Sequence, residues 1–151
     1  MERKYELTDE TISIGDRTLY RIKAVRDFSN VKAGDLGGFI EKESNLSHNG
    51  NAWVYDNAWV YDNARVYGDA RVYGDADIRS ERDLCTFGYF GSRFDTTSAY
   101  KTRSGNIGVR CGCFYGTLEE FRKKVKETHG GNQYAKEYLM MANLIELKLK
   151  Q

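Results

Sequence analysis

The sequence predicts a mainly β protein with C-terminal helices: a short hexapeptide-repeat β-solenoid capped by an N-terminal β-meander and a C-terminal α+β unit. Three observations predict it. A six-residue unit, Ala-(Trp/Arg)-Val-Tyr-(Asp/Gly)-(Asn/Asp), starts at Ala52, Ala58, Ala64 and Ala70 and fades at Ala76-Asp77-Ile78, and fixed-period self-similarity marks repeat architectures. Short alternating runs precede it, and a helix-capping signature with helical periodicity follows it. The 151 residues divide into 1–50 (meander and Gly-rich approach), 51–82 (repeat) and 83–151 (capping unit with two helices).

In the first segment Tyr5–Leu7, Thr11–Ile14 and Thr18–Val25 alternate apolar and polar residues, with a turn at Gly15-Asp16. Gly34, Gly37 and Gly38 fall within five residues, a density that implies positive φ or close backbone approach. No convincing helix follows, so this stretch reads as a bend into the repeat rather than a phosphate loop. Residues 41–50 look like a degenerate first coil. His48, in the phase of Val54, reads as part of a polar cap.

Within each unit Ala and Val share one strand face, and Trp or Arg shares the other with Tyr. The Ala and Val set, with Ile78, makes a narrow core, while Trp53, Tyr55, Trp59, Tyr61, Arg65, Tyr67, Arg71 and Tyr73 point outward. Three units per coil would set Trp53 beside Arg71 and Tyr55 beside Tyr73. That outward face predicts self-association as a homo-oligomer, or a site for a planar ligand. Asp-rich turns serve the backbone, so calcium is discounted and no metal or cofactor is expected.

In the last segment Leu84–Phe90, Thr96–Lys101 and Ile107–Phe114 read as strands. Thr117-Leu-Glu-Glu120 is a capping box opening a helix with Leu118, Phe121 and Val125 on one face. The helix ends at His129-Gly130-Gly131, and Asn132 caps a second. Cys111–Thr117 reads as a strand, a bend and a helix N-terminus, near which Arg93, Arg103 and Arg110 could gather around an anion. Cys85, Cys111 and Cys113 cannot form a closed disulfide set and read as buried thiols of a reducing cytoplasm.

Charge is balanced overall but unevenly spread, the repeat carrying a net −3 and residues 79–151 a net +5. Double-stranded nucleic acid is therefore an unlikely partner. No apolar run is long enough for a membrane, and the N-terminus has no signal-peptide core.

The pairs Val54…Ala58, Val60…Ala64, Val66…Ala70 and Val72…Ala76 resemble the hexapeptide pattern of left-handed β-helix proteins, with Tyr departing from it at the second position. Together with GDLGGFIEKESNLS (34–47), GSR (91–93) and GCFYGTLEEF (112–121), the chain resembles hexapeptide-repeat, "polymer-forming cytoskeletal"-like proteins found mostly in bacteriophages and prophages. That resemblance implies a cytoplasmic protein of an infected bacterium and supplies no catalytic residue set.

Three functions remain open. The first is a non-enzymatic, counter-defence binding protein that sequesters an anionic nucleotide-like signalling ligand or a host immune protein. Its ligand would use Trp53, Trp59, Arg65, Arg71, Arg93, Arg103, Arg110 and Thr117. The second is a hexapeptide-repeat acyltransferase, for which only His48 and His129 are available as catalytic histidines. The third is a structural self-associating solenoid. The sequence favours binding over catalysis.

Overall fold

A computed structural model describes residues 2–93 and 95–150. Strand β1 (Tyr5–Ile14) turns at Gly15 into β2 (Arg17–Ala24), and β2 pairs in turn with β3 (Leu36–Ile40), each pairing antiparallel. The repeat supplies four two-residue strands: β4 (Trp53–Val54), β5 (Trp59–Val60), β6 (Arg71–Val72) and β7 (Asp77–Ile78). Then come β8 (Leu84–Phe90), β9 (Asp95–Lys101), β10 (Ile107–Cys111) and β11 (Phe114–Thr117), followed by helices α1 (Leu118–His129) and α2 (Gln133–Leu149).

The fold class expected from the six-residue period is corrected by the sheet topology. The chain forms a five-stranded mixed sheet, β1-β2-β3-β5-β7, a four-stranded antiparallel sheet, β11-β10-β9-β8, and a two-stranded pair, β4-β6. No separate solenoid stands between two caps. Instead, β5 and β7 continue the N-terminal meander, with Phe39 paired to Trp59 and Trp59 to Asp77 in parallel register. The physical reason lies in side-chain size: an Ala and Val lining is too thin to complete a core. Tyr5, Ile22, Phe28, Ile40 and Leu46 from the first fifty residues join it in one buried cluster.

The repeat still sets its own local geometry. Paired residues lie eighteen apart, as in Trp53 with Arg71 and Val54 with Val72. Its turns reuse one position: Asp56 and Asp62 at φ 56° and Gly68 and Gly74 at φ 66°. Aspartate tolerates this left-handed conformation and glycine adopts it freely, which is why either type can stand at that position.

The C-terminal helices cover the four-stranded sheet through Leu118, Phe121, Val125, Tyr138, Met141 and Ile145. Thr117 caps α1 in a reciprocal box with Glu120, and Asn132 caps α2. The strand expected over residues 107–114 is divided instead: Gly112, at φ 56°, turns the chain between Cys111 and Phe114, and residues 114–117 pair back on β10. No described helix is long and apolar enough to cross a membrane.

One buried cation fixes the N-terminus. Lys4 is fully buried, and its ammonium donates to the Ala52 carbonyl at 2.7 Å and lies 4.9 Å from the Phe28 ring centre. Burial, and secondarily Arg26, lowers its pKa from 10.5 to about 8. Between those values the unfolded chain holds a proton at this site that the folded chain has lost, so this site's contribution to stability rises with pH across that window. Denaturant titrations at pH 7, 8, 9 and 10 should therefore show a Lys4→Met variant losing ground against the parent protein from pH 8 upward. Parallel curves would contradict the assignment.

Candidate functional site

The seam where the repeat meets the four-stranded sheet is built by specific backbone contacts. The Arg71 amide donates to Ser98 Oγ at 3.0 Å, the Arg103 amide donates to the Asp75 carbonyl at 2.9 Å, and the Ser104 amide donates to Asp75 Oδ2 at 3.0 Å. Tyr100 of β9 is fully buried within the repeat's own core cluster. These contacts hold two sets of side chains side by side.

The first set is cationic. Arg71, Asp95, Ser98, Arg110 and Gly112 line a shallow shelf. Arg93 flanks it, since a Cβ built on Gly112 would lie 3.3 Å from Arg93 Cδ. Among the described residues no ion pair involves Arg71, Arg93 or Arg110, although the arginines at 3, 17, 21, 26, 79 and 122 all have carboxylate partners. The second set is aromatic. Tyr55 and Tyr73 stack at 4.0 Å with planes 5° apart, as the eighteen-residue spacing requires, and Tyr115 follows at 5.2 Å from Tyr73. The Arg110 guanidinium lies 5.1 Å from the Tyr73 ring centre, joining the two sets. Burial raises the Tyr55 phenol pKa, so that phenol is neutral near pH 7.

The expected site residues divide sharply. Arg71, Arg93 and Arg110 are brought together. Thr117 lies farther along the seam, as the cap of α1. Trp53 is only 1% exposed, packed edge-on against Phe28 and Tyr5, and offers no surface to a ligand. Trp59 is half-buried under Arg103, whose guanidinium sits 4.1 Å from the ring and donates to the Ala76 carbonyl. Arg65 lies in a different, mixed-charge groove with Lys42, Asp62, Glu81 and Arg82. The aromatic face is therefore largely covered, and of its tyrosines only Tyr67 stands well exposed, at 66%.

The Gly-rich bend at Cys111–Thr117 is a hairpin turn and an edge strand, not an open loop leading into a helix N-terminus. Residues 114–117 pair on β10, and the Thr117 amide donates to the Glu120 carboxylate at 2.8 Å. Tyr115 and Tyr100 were not anticipated as site residues. Their only sequence signal is alternation within strands that read as structural.

Neither histidine reaches the seam. His48 is buried and stacked 4.1 Å from Tyr5. Its Nδ1 accepts the Lys4 amide at 3.0 Å, which leaves the proton on Nε2, 2.9 Å from Glu43. The hydrogen bond from His48 holds the Glu43 carboxyl below its usual range. His129 stacks on Tyr138, with Ser92 Oγ 3.5 Å from its Nε2. The three cysteines are not fully buried as expected: Cys85 and Cys111 are half-buried and Cys113 is exposed. Cys85 and Cys111 are poor nucleophiles, because burial pushes Cys85 up to about 11 and raises Cys111 too.

No protein-family model matches the chain. A stretch of 62 residues is 40% identical to an uncharacterized acetyltransferase, YdcK, of Escherichia coli (strain K12). The match covers 36% of this chain and 19% of that protein, so the chain spans about a fifth of the relative's length.

Proposed function

We propose that the protein binds an acyl-coenzyme A at the seam and transfers its acyl group to an acceptor. The observation that carries this reading is the gathering of Arg71, Arg93 and Arg110, none of them ion-paired among the described residues, beside the Tyr55–Tyr73 stack. Coenzyme A is an anionic nucleotide joined to a thioester. Guanidinium groups suit its phosphates, and flat aromatic faces suit its base. The partial match to an acetyltransferase favours acyl-coenzyme A over other anionic nucleotides and favours transfer over simple capture.

A second reading keeps the same shelf without chemistry: capture of a nucleotide-like signalling ligand. It is favoured by the histidines, both of which are engaged away from the seam.

Calorimetric titration of acetyl-coenzyme A and of ATP, paired with an assay for released thiol, separates the two. Acetyl-coenzyme A should bind, and Arg71→Ala and Arg110→Ala should each weaken it about tenfold, the scale of one lost charge-assisted hydrogen bond. Thiol release on adding amines supports transfer. Nucleotide binding without thiol release supports capture, and binding of neither ligand overturns both.

A further inference from the structure

Beyond the arginine shelf the same seam opens into a cavity of about 300 Å³, walled by Tyr73, Tyr100 and Tyr115, with the carboxylates of Asp75 and Glu120 on its lining. Among the described residues no lysine, arginine or histidine lines it. Its size is at the lower end of small-molecule sites. Two glycines let the rings pack as they do: a Cβ on Gly108 would come within 2.4 Å of the Tyr100 ring, and one on Gly74 within 2.1 Å of the Tyr115 hydroxyl.

Tyr100 is 0% exposed, yet its hydroxyl has no hydrogen-bond partner among the described residues. The Tyr73 backbone is close to it without reaching hydrogen-bond geometry. A buried phenol ordinarily finds a partner, and this one is sealed behind the cavity wall without one, so it stiffens the wall rather than meeting a ligand.

The chemistry of the lining selects the ligand's charge. Asp75 accepts one amide through Oδ2, and Glu120 accepts the Thr117 amide through Oε1, so each keeps an oxygen for a ligand. Hydrogen bonds from Thr117 hold the Glu120 carboxyl below its usual range. Tyrosine ring faces attract cations, and more strongly where water is excluded.

We infer that this cavity binds a cationic amine and, resting on the acyl-transfer reading above, that this amine is the acyl acceptor. Tyr73 is the shared wall: Arg110 of the donor shelf packs on it, and the cavity lies along it. In the transfer, the ammonium first gives a proton to the Asp75 carboxylate, which passes it to water. The freed nitrogen lone pair attacks the thioester carbonyl carbon, forming the C–N bond. The carbon–sulfur bond then breaks, and the coenzyme A thiolate takes up the second nitrogen proton. The products are an amide, free coenzyme A and one proton in solution.

The test titrates tyramine and spermidine into the full chain, with neutral 4-propylphenol and anionic 4-hydroxyphenylacetate as controls of similar size and shape for tyramine. At least one amine should bind, at least tenfold more tightly than either control. Asp75→Asn, which keeps an acceptor for the Ser104 amide, should weaken amine binding at least tenfold; Glu120→Gln, at an exposed position, should weaken it severalfold and serves where the first variant fails to fold. Binding of neither amine, equal binding of the neutral control, or indifference to these substitutions overturns the inference. Amine binding without acetyl-coenzyme A binding would keep the cavity and remove acyl transfer. Thiol release insensitive to both substitutions would keep acyl transfer and remove the cavity.

Discussion

Gly38→Ala should destabilise the protein by about 3 kcal/mol or more, the upper range for forcing volume into a closed core. Gly38 is buried in β3, and a Cβ there would lie 2.6 Å from the Ala58 carbonyl oxygen and 2.8 Å from Val54 Cγ1. The nearest obstacle is backbone and cannot swing away. Ala58 is also fixed on the other side, since its carbonyl accepts the Phe39 amide at 2.9 Å. Relief would require pulling β3 from β5, which dismantles the junction between meander and repeat. Urea unfolding followed by circular dichroism measures the loss. Gly88→Ala, where nothing lies within 4 Å, should stay near the parent value as the control. A Gly38→Ala protein as stable as this control would mean that β3 and the repeat do not pack as described.

Asn45→Ala should cost about 3 kcal/mol, from several buried polar groups losing partners together. Asn45 is fully buried. Its Oδ1 accepts the amides of Glu41 and Lys42 at 3.2 and 2.9 Å, and its Nδ2 donates to the carbonyls of Asp62 and Ala64 at 3.2 and 2.9 Å. One side chain thus replaces a missing stretch of ladder between residues 41–46 and the repeat. Asn45→Asp discriminates this role from simple packing. It keeps the acceptor, loses both donors, and sets a charge against two carbonyl oxygens, so it should be less stable than Asn45→Ala at pH 7 and recover as the pH falls. Equal stability of the two variants at every pH would contradict the assignment.

Much of the local structure was legible, because it depends on neighbours in sequence. Eighteen-residue spacing placed Tyr55 on Tyr73, and the turn position shared by Asp56, Asp62, Gly68 and Gly74 announced its left-handed backbone. The boundaries of β8 and the Thr117 and Asn132 caps could be read directly. The overall fold could not. Leu36–Ile40 carries no repeat unit, so nothing local shows that it pairs antiparallel with β2 and parallel with β5. Periodicity also says which way a side chain points, but not what covers it. Trp53 does face away from the Ala and Val lining, yet Phe28 and Tyr5 close over it.

The candidate site shows the same division. Arg71, Arg93 and Arg110 were among eight residues singled out, but Arg65 and Arg103 looked equivalent to them. What separates them is a long-range pairing: β9 and β10 bring Ser98 opposite Arg110, and Ser98 also accepts the Arg71 amide. Arg103 is spent on Trp59 and on the Ala76 carbonyl. Tyr100 gave no signal at all, since an alternating strand tyrosine does not disclose an unpartnered hydroxyl.

The proposed function puts ligand binding at the seam between the repeat and the four-stranded sheet. Backbone amide shift mapping of the labelled full chain during an acetyl-coenzyme A titration tests it most directly. Saturable shifts should concentrate at residues 71–75, 93, 95–100 and 108–117 and be lost in Arg110→Ala. Shifts confined instead to the groove of Lys42, Arg65 and Arg82, or no saturable shift, would contradict the account.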